Sequence, residues 1–543
     1  MAQDEEDPGS DDGLPPSLGR SAAVMAVGTT LSRVTGLGRL VAMAYALGVT
    51  ESRLSDSYNV ANTMPNVIYE LILGGLLTSV FIPVLVEELR MKRDDEGWES
   101  VSALVTTSIV TVLAITVLAV ICAPWIIGLF TLDAEQQEVA TFLLRIFAPQ
   151  ILFYGIASVA GGLLNAHDRF AVPMFAPIAN NMVVIASLVA FATFVPLVRD
   201  QPTSLAQKLL LGLGTTGGVA LLALAHWPAV RRLPGKLRWR PNFRHPAVRK
   251  LARLSLWTLG YVVTNQLSFS VGLVLASRVD GGVTAMFTAF AFFNLPYGIA
   301  AVSIMTALVP RMSSQAVEGD EDGFRASVGS AMRLMGLLLL PATAGYLVLS
   351  RPLVTTLLEH GVMGAESSEL VAEVLQMFAI GLVPFSFYLL LLRAFYARQD
   401  AKTPTLVNLV LNTVYAVFSF AFYPAFRVQG LAFAHSLCYV TGAVLAGILL
   451  SRRIGGLDTR RTFAALGRAT AASTVAAVAM VAALQAVDAV MDPSGPRALA
   501  QLVAGVLAGG VAFLVAAKAL RIEELETLRN LLPGRSRATA GLG

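Results

Sequence analysis

Residues 21–47 read SAAVMAVGTTLSRVTGLGRLVAMAYAL, an apolar stretch of 27 residues whose only charges are two arginines. A transmembrane helix needs about 20 apolar residues, so this stretch is long enough to cross a bilayer. An arginine in hydrocarbon costs about 3 kcal/mol or more and normally faces a cavity or a partner. Arg33 and Arg39 therefore predict that something anionic enters the membrane interior of this protein.

The rest of the chain repeats this apolar pattern. Its 543 residues are 55% hydrophobic and 14% charged, and the mean hydropathy is +0.67. So few charges cannot coat a soluble globule, and the fold class is predicted to be an all-α polytopic membrane protein. We predict about fourteen transmembrane helices, which begin near Ser21, Asp56, Val101, Val139, Phe170, Lys208, Val248, Val283, Val328, Leu370, Thr403, Gly430, Thr462 and Ala498.

The distribution of basic residues predicts the orientation of these helices. Of 40 Lys and Arg residues, only Arg33, Arg39 and Arg145 lie inside predicted spans. With a cytoplasmic N-terminus, the inner loops and tails hold 30 of the remaining bases and the outer loops hold 7. Cytoplasmic loops carry the excess of Lys and Arg, so both termini are predicted to be cytoplasmic. The basic residues that give the pI of about 9.1 then lie along the inner membrane face, where anionic lipid attracts them. They do not indicate binding of nucleic acid.

Several function classes lack their sequence signals. Cys122 and Cys438 both lie in apolar spans, which favours small core residues over a disulfide. The five histidines show no metal-ligand spacing, and the chain has no glycine-rich phosphate loop followed by lysine and no nucleophile motif beside a base. We therefore predict no catalytic residue, metal or cofactor, and an ATP-driven pump or a hydrolase is not supported.

The chain is predicted to contain two similar halves. Pro65 and Pro296 are 231 residues apart, and other matching motifs have offsets between 227 and 232 residues. Such repeats are typical of transporters that bind substrate between two lobes. The predicted divisions are a disordered acidic cytoplasmic tail (1–19), an N-terminal lobe (20–233), a basic cytoplasmic linker (234–247), a C-terminal lobe (248–455), two extra helices (456–520) and a cytoplasmic tail (521–543).

Four segments resemble the MurJ/MviN family of lipid II flippases: SRVTGLGR at 32–39, VANTMPN at 60–66, LLNAHDRF at 163–170 and FYARQDAKTP at 395–404. The resemblance implies the fold of the multidrug/oligosaccharidyl-lipid/polysaccharide exporter superfamily, with two V-shaped lobes and a cationic cavity. It also implies the substrate, an undecaprenyl-pyrophosphate-linked peptidoglycan precursor. This lipid would move from the inner to the outer leaflet of the bacterial cytoplasmic membrane by alternating access.

The two arginines of the first span suit that substrate. Pyrophosphate carries several negative charges, and the planar fork of arginine binds phosphate bidentately. Arg33 and Arg39 are separated by about 9 Å of helix rise. Both can line one cavity only if the helix bends or the cavity is broad, and Gly36 and Gly38 would permit a bend.

The second span supplies further candidates for the substrate site, Asp56, Asn62 and Asn66. An alternative is that the arginines neutralise Asp56 or Glu70 in a structural ion network, and Asp56 equally suits a helix cap or a gate. Asn62 and Asn66 flank Pro65. They either donate to a sugar or phosphate or satisfy backbone groups that the proline frees.

Other charged residues are assigned structural roles. Arg145 near the outer start of the fourth span is expected to reach the lipid headgroups. A second group lies at cytoplasmic helix junctions, where salt bridges and helix caps are expected to fix the loops between helices. Its members are Asp168, Arg169, Arg398, Asp400 and Lys402.

This sequence departs from the family pattern at two places. Where better-studied members carry further cavity arginines, this chain has Tyr69 and Ala291. The resemblance therefore implies a less cationic cavity here. Arg393, near the inner end of the tenth span, either compensates as an additional cavity cation or faces the loop.

The energy source stays open at this stage. Some members of the family bind sodium through acidic residues of the seventh and eleventh helices, whereas this chain offers Asn265, Asn408 and Asn412 without a carboxylate. A sodium site is not supported. Membrane potential, protons and substrate gradients remain as alternatives.

Three hypotheses for the function follow. The first is a lipid II flippase. The second is a transporter of another lipid-linked glycan or of a drug, although a drug and cation antiporter would not need Arg33 and Arg39. The third is a paralogue without transport activity that scaffolds cell-wall synthases. It predicts that the two arginines can be replaced without consequence.

Overall fold

The computed structural model describes residues 16–71, 85, 87, 94–130, 132–167, 169–197, 201–492 and 495–525. These residues are mostly helical, and no β-strand occurs among them. What we call the first half comprises residues 16–230. Its helices are α1 (Pro16–Leu47), α2 (Arg53–Tyr69), α3 (Asp94–Ile127), α4 (Ala134–Phe147), α5 (Pro149–Asn165), α6 (Ala171–Phe194), α7 (Leu205–Ala225) and α8 (Trp227–Val230).

The second half comprises residues 246–453 and is followed by two further helices. Its helices are α9 (Pro246–Ala276), α10 (Gly282–Pro296), a π-helical segment (Tyr297–Ala301), α11 (Val302–Glu318), α12 (Glu321–Leu358), α13 (Ala365–Ala379), α14 (Leu382–Ala397) and α15 (Lys402–Arg453). The two final helices are α16 (Thr459–Val490) and α17 (Gly495–Ala519). The all-α membrane fold predicted from the sequence is confirmed.

Helix length and hydropathy identify nine or ten membrane crossings among the described residues. Among the described residues, nine helical segments are long and apolar enough to cross a membrane. A tenth arises if α13 and α14, which meet at a 47° bend, form one span. The 52-residue α15 is about 78 Å long at 1.5 Å per residue and breaks at Arg427, where φ is 49° and ψ is −127°. It covers the predicted eleventh and twelfth spans, and the total of fourteen stays a prediction.

Helix α1 packs against α6 through its glycines. A Cβ atom at Gly28 would lie 3.0 Å from Met174, and one at Gly38 would lie 3.5 Å from Ile185. The Asn181 side chain of α6 donates to Ser32 O at 3.3 Å and to Thr35 Oγ1 at 3.0 Å. Small residues on α1 therefore let two helices approach closely.

The two halves repeat one irregular feature at equivalent places. The helix that contains Pro65 changes to a π-helical turn at 70–71, and the helix that contains Pro296 changes to one at Tyr297–Ala301. A proline inside a helix removes one backbone hydrogen bond, and π-turns are frequent at functional sites. The internal repeat inferred from the proline spacing is thus also visible in the backbone, because a π-helical turn follows the proline in both helices.

The two final helices pack against each other and against α12. The segment that follows α17 is fixed by charge, because Arg333 of α12 lies 2.9 Å from Glu524 and both side chains are only 9% exposed. Arg461 pairs with Glu523 at 2.9 Å. The final helices therefore belong to the second half by packing. The tail residues 1–15 and 526–543 lie outside the described residues.

The contact between α6 and α7 gives a test of this packing. A methyl group at Gly214 would overlap Ser187, whereas one at Gly217 on the same helix meets no atom within 4 Å. We expect Gly214→Ala to lower the free energy of unfolding by about 1–3 kcal/mol through overpacking. Gly217→Ala is the matched control and should be neutral or slightly stabilising, because alanine favours helix over glycine by up to about 1 kcal/mol. Thermal unfolding in detergent measures both, and equal melting temperatures would contradict this packing.

Candidate functional site

Asp56 of α2 joins the two halves by capping α10. The side chain is buried, and its Oδ1 accepts hydrogen bonds from the Thr284 backbone nitrogen at 3.0 Å and from Thr284 Oγ1 at 2.6 Å. Asn59 donates to the same hydroxyl at 2.9 Å. The first turn of a helix has free N–H groups and partial positive charge. Of the alternatives for Asp56, the geometry supports the helix cap.

A second set of hydrogen bonds joins the halves beside this cap. Glu51 Oε1 accepts from the Gly364 nitrogen at 2.6 Å, and Oε2 accepts from Ser367 Oγ at 2.7 Å. Thr50 N donates to Ser367 Oγ at 2.9 Å, and the Val362 nitrogen donates to the Tyr45 carbonyl at 3.0 Å. We call these contacts, together with Asp56, Asn59 and Thr284, the latch.

Most of the latch was missed by reasoning from sequence. Glu51 and Ser367 stand 316 positions apart, and no local pattern links them. One signal was present, because Asp56 and Thr284 are 228 residues apart, within the offsets of the internal repeat. The starts of two equivalent helices therefore meet each other.

Arg33 reaches from α1 to the second half. Its guanidinium lies against Gly298 in the π-helical segment, where a Cβ atom would overlap it. The neighbouring Tyr297 lies within electrostatic range of both Arg33 and Arg393. Arg393 is half-buried inside α14 and therefore shares this region instead of extending into the loop. We call Arg33, Tyr297, Gly298 and Arg393 the arginine cleft.

Arg39 lies beside a different group of residues, in the first half. Tyr154 of α5 lies within electrostatic range of Arg39 and is hydrogen-bonded to the Asn66 side chain. Tyr69 packs against Tyr154 with 5.8 Å between the ring centroids. The two arginines of α1 thus stand in separate surroundings. Asn62 lies half-buried on α2, one turn before Asn66.

No carboxylate of the described residues pairs with any of these three arginines. Among the ion pairs between described residues, none includes Arg33, Arg39 or Arg393. Where relatives are expected to carry arginines, Tyr69 bonds Ser158 through its hydroxyl and Ala291 packs against the core. The described part of the cleft between the halves therefore holds arginines without a carboxylate partner. Their positive charge suits a phosphate group.

The helix junctions contain the salt bridges and caps that their sequence suggests. Arg398 bonds both oxygens of Glu321 at 2.8 Å. Asp400 pairs with Arg453 and accepts from the backbone nitrogens of Lys402 and Thr403, each at 3.1 Å. It therefore caps the start of α15.

Other junction residues show weaker contacts. Arg169 donates to the Ala229 carbonyl at 3.4 Å. Lys402 is exposed at the first position of α15, and Arg145 is exposed on α4. Asp168 lies outside the described residues.

Three amides meet in the second half. The Asn265 oxygen accepts from Asn408 at 3.2 Å and from Asn412 at 2.9 Å. We call these residues the amide triad. The Asn265 oxygen thus accepts two hydrogen bonds, and the described part of the chain contains no group of three or more His, Cys, Asp or Glu side chains placed to hold a metal.

These features define a multi-pass helical membrane transporter with an internal repeat and a cationic cleft between its halves. A sequence profile described as lipid II flippase MurJ matches residues 43–494. The chain belongs to the MurJ family.

Curated relatives and solved structures agree with this family. The lipid II flippase MurJ of Burkholderia cenocepacia is 29% identical over 435 residues, covering 78% of this chain and 81% of the relative. A probable lipid II flippase MurJ of Synechocystis is 28% identical, covering 85% and 87%. A structure of lipid II flippase MurJ in an inward closed conformation matches with a TM-score of 0.77 at 20% identity, covering 93% and 100%. An inward-facing multidrug resistance MATE family transporter matches with a TM-score of 0.65 at 13% identity, covering 80% and 98%.

The latch is tested by Asp56→Asn. Charged hydrogen bonds contribute about 1.5–3 kcal/mol, so losing the charge should raise the population of states with an open latch about tenfold or more. The measurement is the rate at which an impermeant maleimide labels Leu54→Cys, which is 4% exposed, in a Cys122→Ser background. Asp280→Asn, at a neighbouring exposed carboxylate, is the matched control and should not change the rate. An unchanged rate in Asp56→Asn would refute the role of this cap.

Asp400 gives a pH-dependent prediction. Burial alone would raise the pKa of Asp400, but hydrogen bonds from Thr403 and Lys402 and the charge of Arg453 outweigh it and hold the pKa below its usual value. The stabilisation is thus present above the unfolded pKa of about 4 and is lost as the pH falls through the lower folded pKa. Asp400→Asn should cost about 1 kcal/mol at neutral pH. The difference from wild type in thermal unfolding should vanish in acid, and a difference that persists there would contradict the assignment.

Proposed function

We propose that this protein is a flippase that moves lipid II from the inner to the outer leaflet of the bacterial cytoplasmic membrane. The observation that carries the proposal is a set of arginines that pair with no carboxylate among the described residues: Arg33 and Arg393 between the halves, and Arg39 on the same helix as Arg33. Pyrophosphate crosses hydrocarbon only if fixed cations and donors replace its water. Family membership supplies the identity of the lipid.

We further propose an alternating-access mechanism with both termini in the cytoplasm. With that orientation the latch lies at the outer end of the protein, because α2 and α10 both begin there. The structure then corresponds to a state closed toward the outside. Release of the headgroup requires Thr284 and Ser367 to leave Asp56 and Glu51. Substrate promotes this change only if it binds the outward-open state more tightly.

Transport by this route neither forms nor breaks a covalent bond. We therefore propose that Arg33, Arg39 and Arg393 bind the pyrophosphate, and that Asn62 and Asn66 contact the headgroup from α2. Arg393 replaces part of the positive charge that relatives hold at the positions of Tyr69 and Ala291. Membrane lipids surround the helices, and cell-wall synthases are the protein partners to which flipped substrate would pass.

The arginines are tested by complementation after depletion of the native protein. At matched membrane abundance, Arg33→Ala, Arg39→Ala and Arg393→Ala should each lower the exposure of lipid II on the outer leaflet about tenfold or more, since a charged hydrogen bond contributes about 1.5–3 kcal/mol. The matched control is Arg145→Ala, which removes an exposed span arginine and should restore normal exposure.

The outcomes separate the competing functions. If depletion leaves lipid II exposure unchanged, the protein does not supply the flippase activity of the cell. If wild type and all arginine variants complement equally, the scaffolding hypothesis replaces the transport hypothesis. If purified protein binds another lipid-linked glycan more tightly than lipid II, the substrate is that glycan.

A further inference from the structure

The interior of the second half contains a histidine enclosed by aromatic rings. The ring of His435 on α15 has six aromatic neighbours, with centroid distances from 4.8 Å to 6.5 Å. Four of them, Phe290, Phe293, Phe378 and Tyr415, stand nearly perpendicular to the imidazole. The full set is Phe290, Phe293, Phe378, Phe385, Tyr415 and Tyr439. We call it the aromatic cage.

His435 also lines a cavity of about 240 Å³. The cavity extends from the aromatic cage to the amide triad, since Asn265 and Asn412 form part of its wall together with Ser268. A water molecule takes up about 30 Å³ in the liquid, so several waters fit. The Nδ1 atom of His435 is buried and has no hydrogen-bond partner. A buried polar atom without a partner requires an explanation.

No charged side chain lines the described part of this cavity beside His435. The titratable groups that face it, Tyr415, Cys438 and Tyr439, all belong to α15, while the lining residues from α9, α10 and α13 carry no charge. Phe385 is the cage residue from α14. Tyrosine and cysteine are neutral at physiological pH, whereas an unperturbed imidazole changes charge between about pH 5 and 8. A dry apolar site disfavours the charged imidazole, so His435 is the group in this described lining that can bind a proton once water enters the cavity.

We propose that His435 is a proton-binding site whose occupancy is coupled to the conformation of the second half. A positive charge is unfavourable without water, while waters in the cavity and the faces of aromatic rings both stabilise it. A conformation that widens the cavity admits more water and binds the proton more tightly. Protonation then shifts the population toward that conformation.

The amide triad argues for a proton over a metal cation. Sodium and calcium require several free oxygen ligands, but the Asn265 oxygen already accepts from Asn408 and Asn412. A proton needs only one free lone pair, which the unpartnered nitrogen of His435 offers. The inference rests on the proposed function only for its link to transport, and proton binding itself is independent of lipid II.

Proton binding is measured on the full-length protein in lipid nanodiscs with ¹⁵N-labelled histidine. The chain has five histidines, and His435→Gln identifies the signal of interest, with His360→Gln in an exposed loop as the matched control. We expect a titrating imidazole signal that is absent in His435→Gln and retained in His360→Gln. A His435 signal that does not change between about pH 8 and pH 5 would overturn the proposal.

Coupling is measured with spin labels at Glu135 and Glu366, exposed positions in the two halves beside the latch. Acidification across the same range should change the distance distribution of the wild type, and the change should be at least halved in His435→Gln and His435→Phe. Distributions at alkaline pH that match the wild type show that both variants fold. An equal response to acid in wild type and both variants refutes coupling. Binding of a small aromatic cation such as tetraphenylphosphonium that His435→Phe abolishes, without any titration of His435, would assign the cavity to an organic ligand instead.

Discussion

The hydrogen bonds from Thr284 to Asp56 are the contact on which the arrangement of the two halves depends. A buried carboxylate is tolerated in an apolar protein only where donors surround it, and the first turn of α10 provides both donors and partial positive charge. Because the cap links α2 directly to α10, it fixes how far apart the two helices can stand. Glu51 likewise accepts hydrogen bonds from Gly364, in the loop before α13, and from Ser367 in the first turn of α13. The latch thus adds polar contacts that can exchange with water to the apolar core, which also contains residues of both halves.

The cationic cleft exists because those contacts lie at one end of the molecule. With the latch closed, α1 from the first half approaches the π-helical segment of the second, and Arg33 fits only where Gly298 has no side chain. Arg393 then faces the same tyrosine from α14. The positive charge between the halves is therefore assembled from both of them, and its geometry changes whenever they move. A substrate held by Arg33 and Arg393 would sense the relative position of the halves directly.

Local sequence patterns predicted the helices well and the contacts between helices poorly. The predicted starts near Val283, Thr403 and Thr462 lie within a few residues of the observed helix starts at Gly282, Lys402 and Thr459, because apolar length, proline and caps are local signals. The contact of Gly36 with Asn181 on α6 was not predicted, and whether Gly36 and Gly38 permit a bend stays a prediction. Glu51 was missed and Arg393 was left ambiguous, because partners hundreds of residues away leave no trace in a single sequence. Only the internal repeat carried long-range information. Its offsets of 227 to 232 residues include the 228 residues that separate Asp56 from Thr284.

The pairing of Asp56 with Thr284 also bears on the symmetry of the chain. In a symmetric assembly of two identical subunits, a residue on the two-fold axis faces its own copy. Asp56 and Thr284 lie at the starts of equivalent helices in the two repeats and meet each other. In a dimer of identical halves, either two carboxylates or two hydroxyls would face each other at this place. Two carboxylates would repel each other, and two hydroxyls would leave the helix ends without an anion. The observed pair is therefore available only where the two halves differ in sequence at this place.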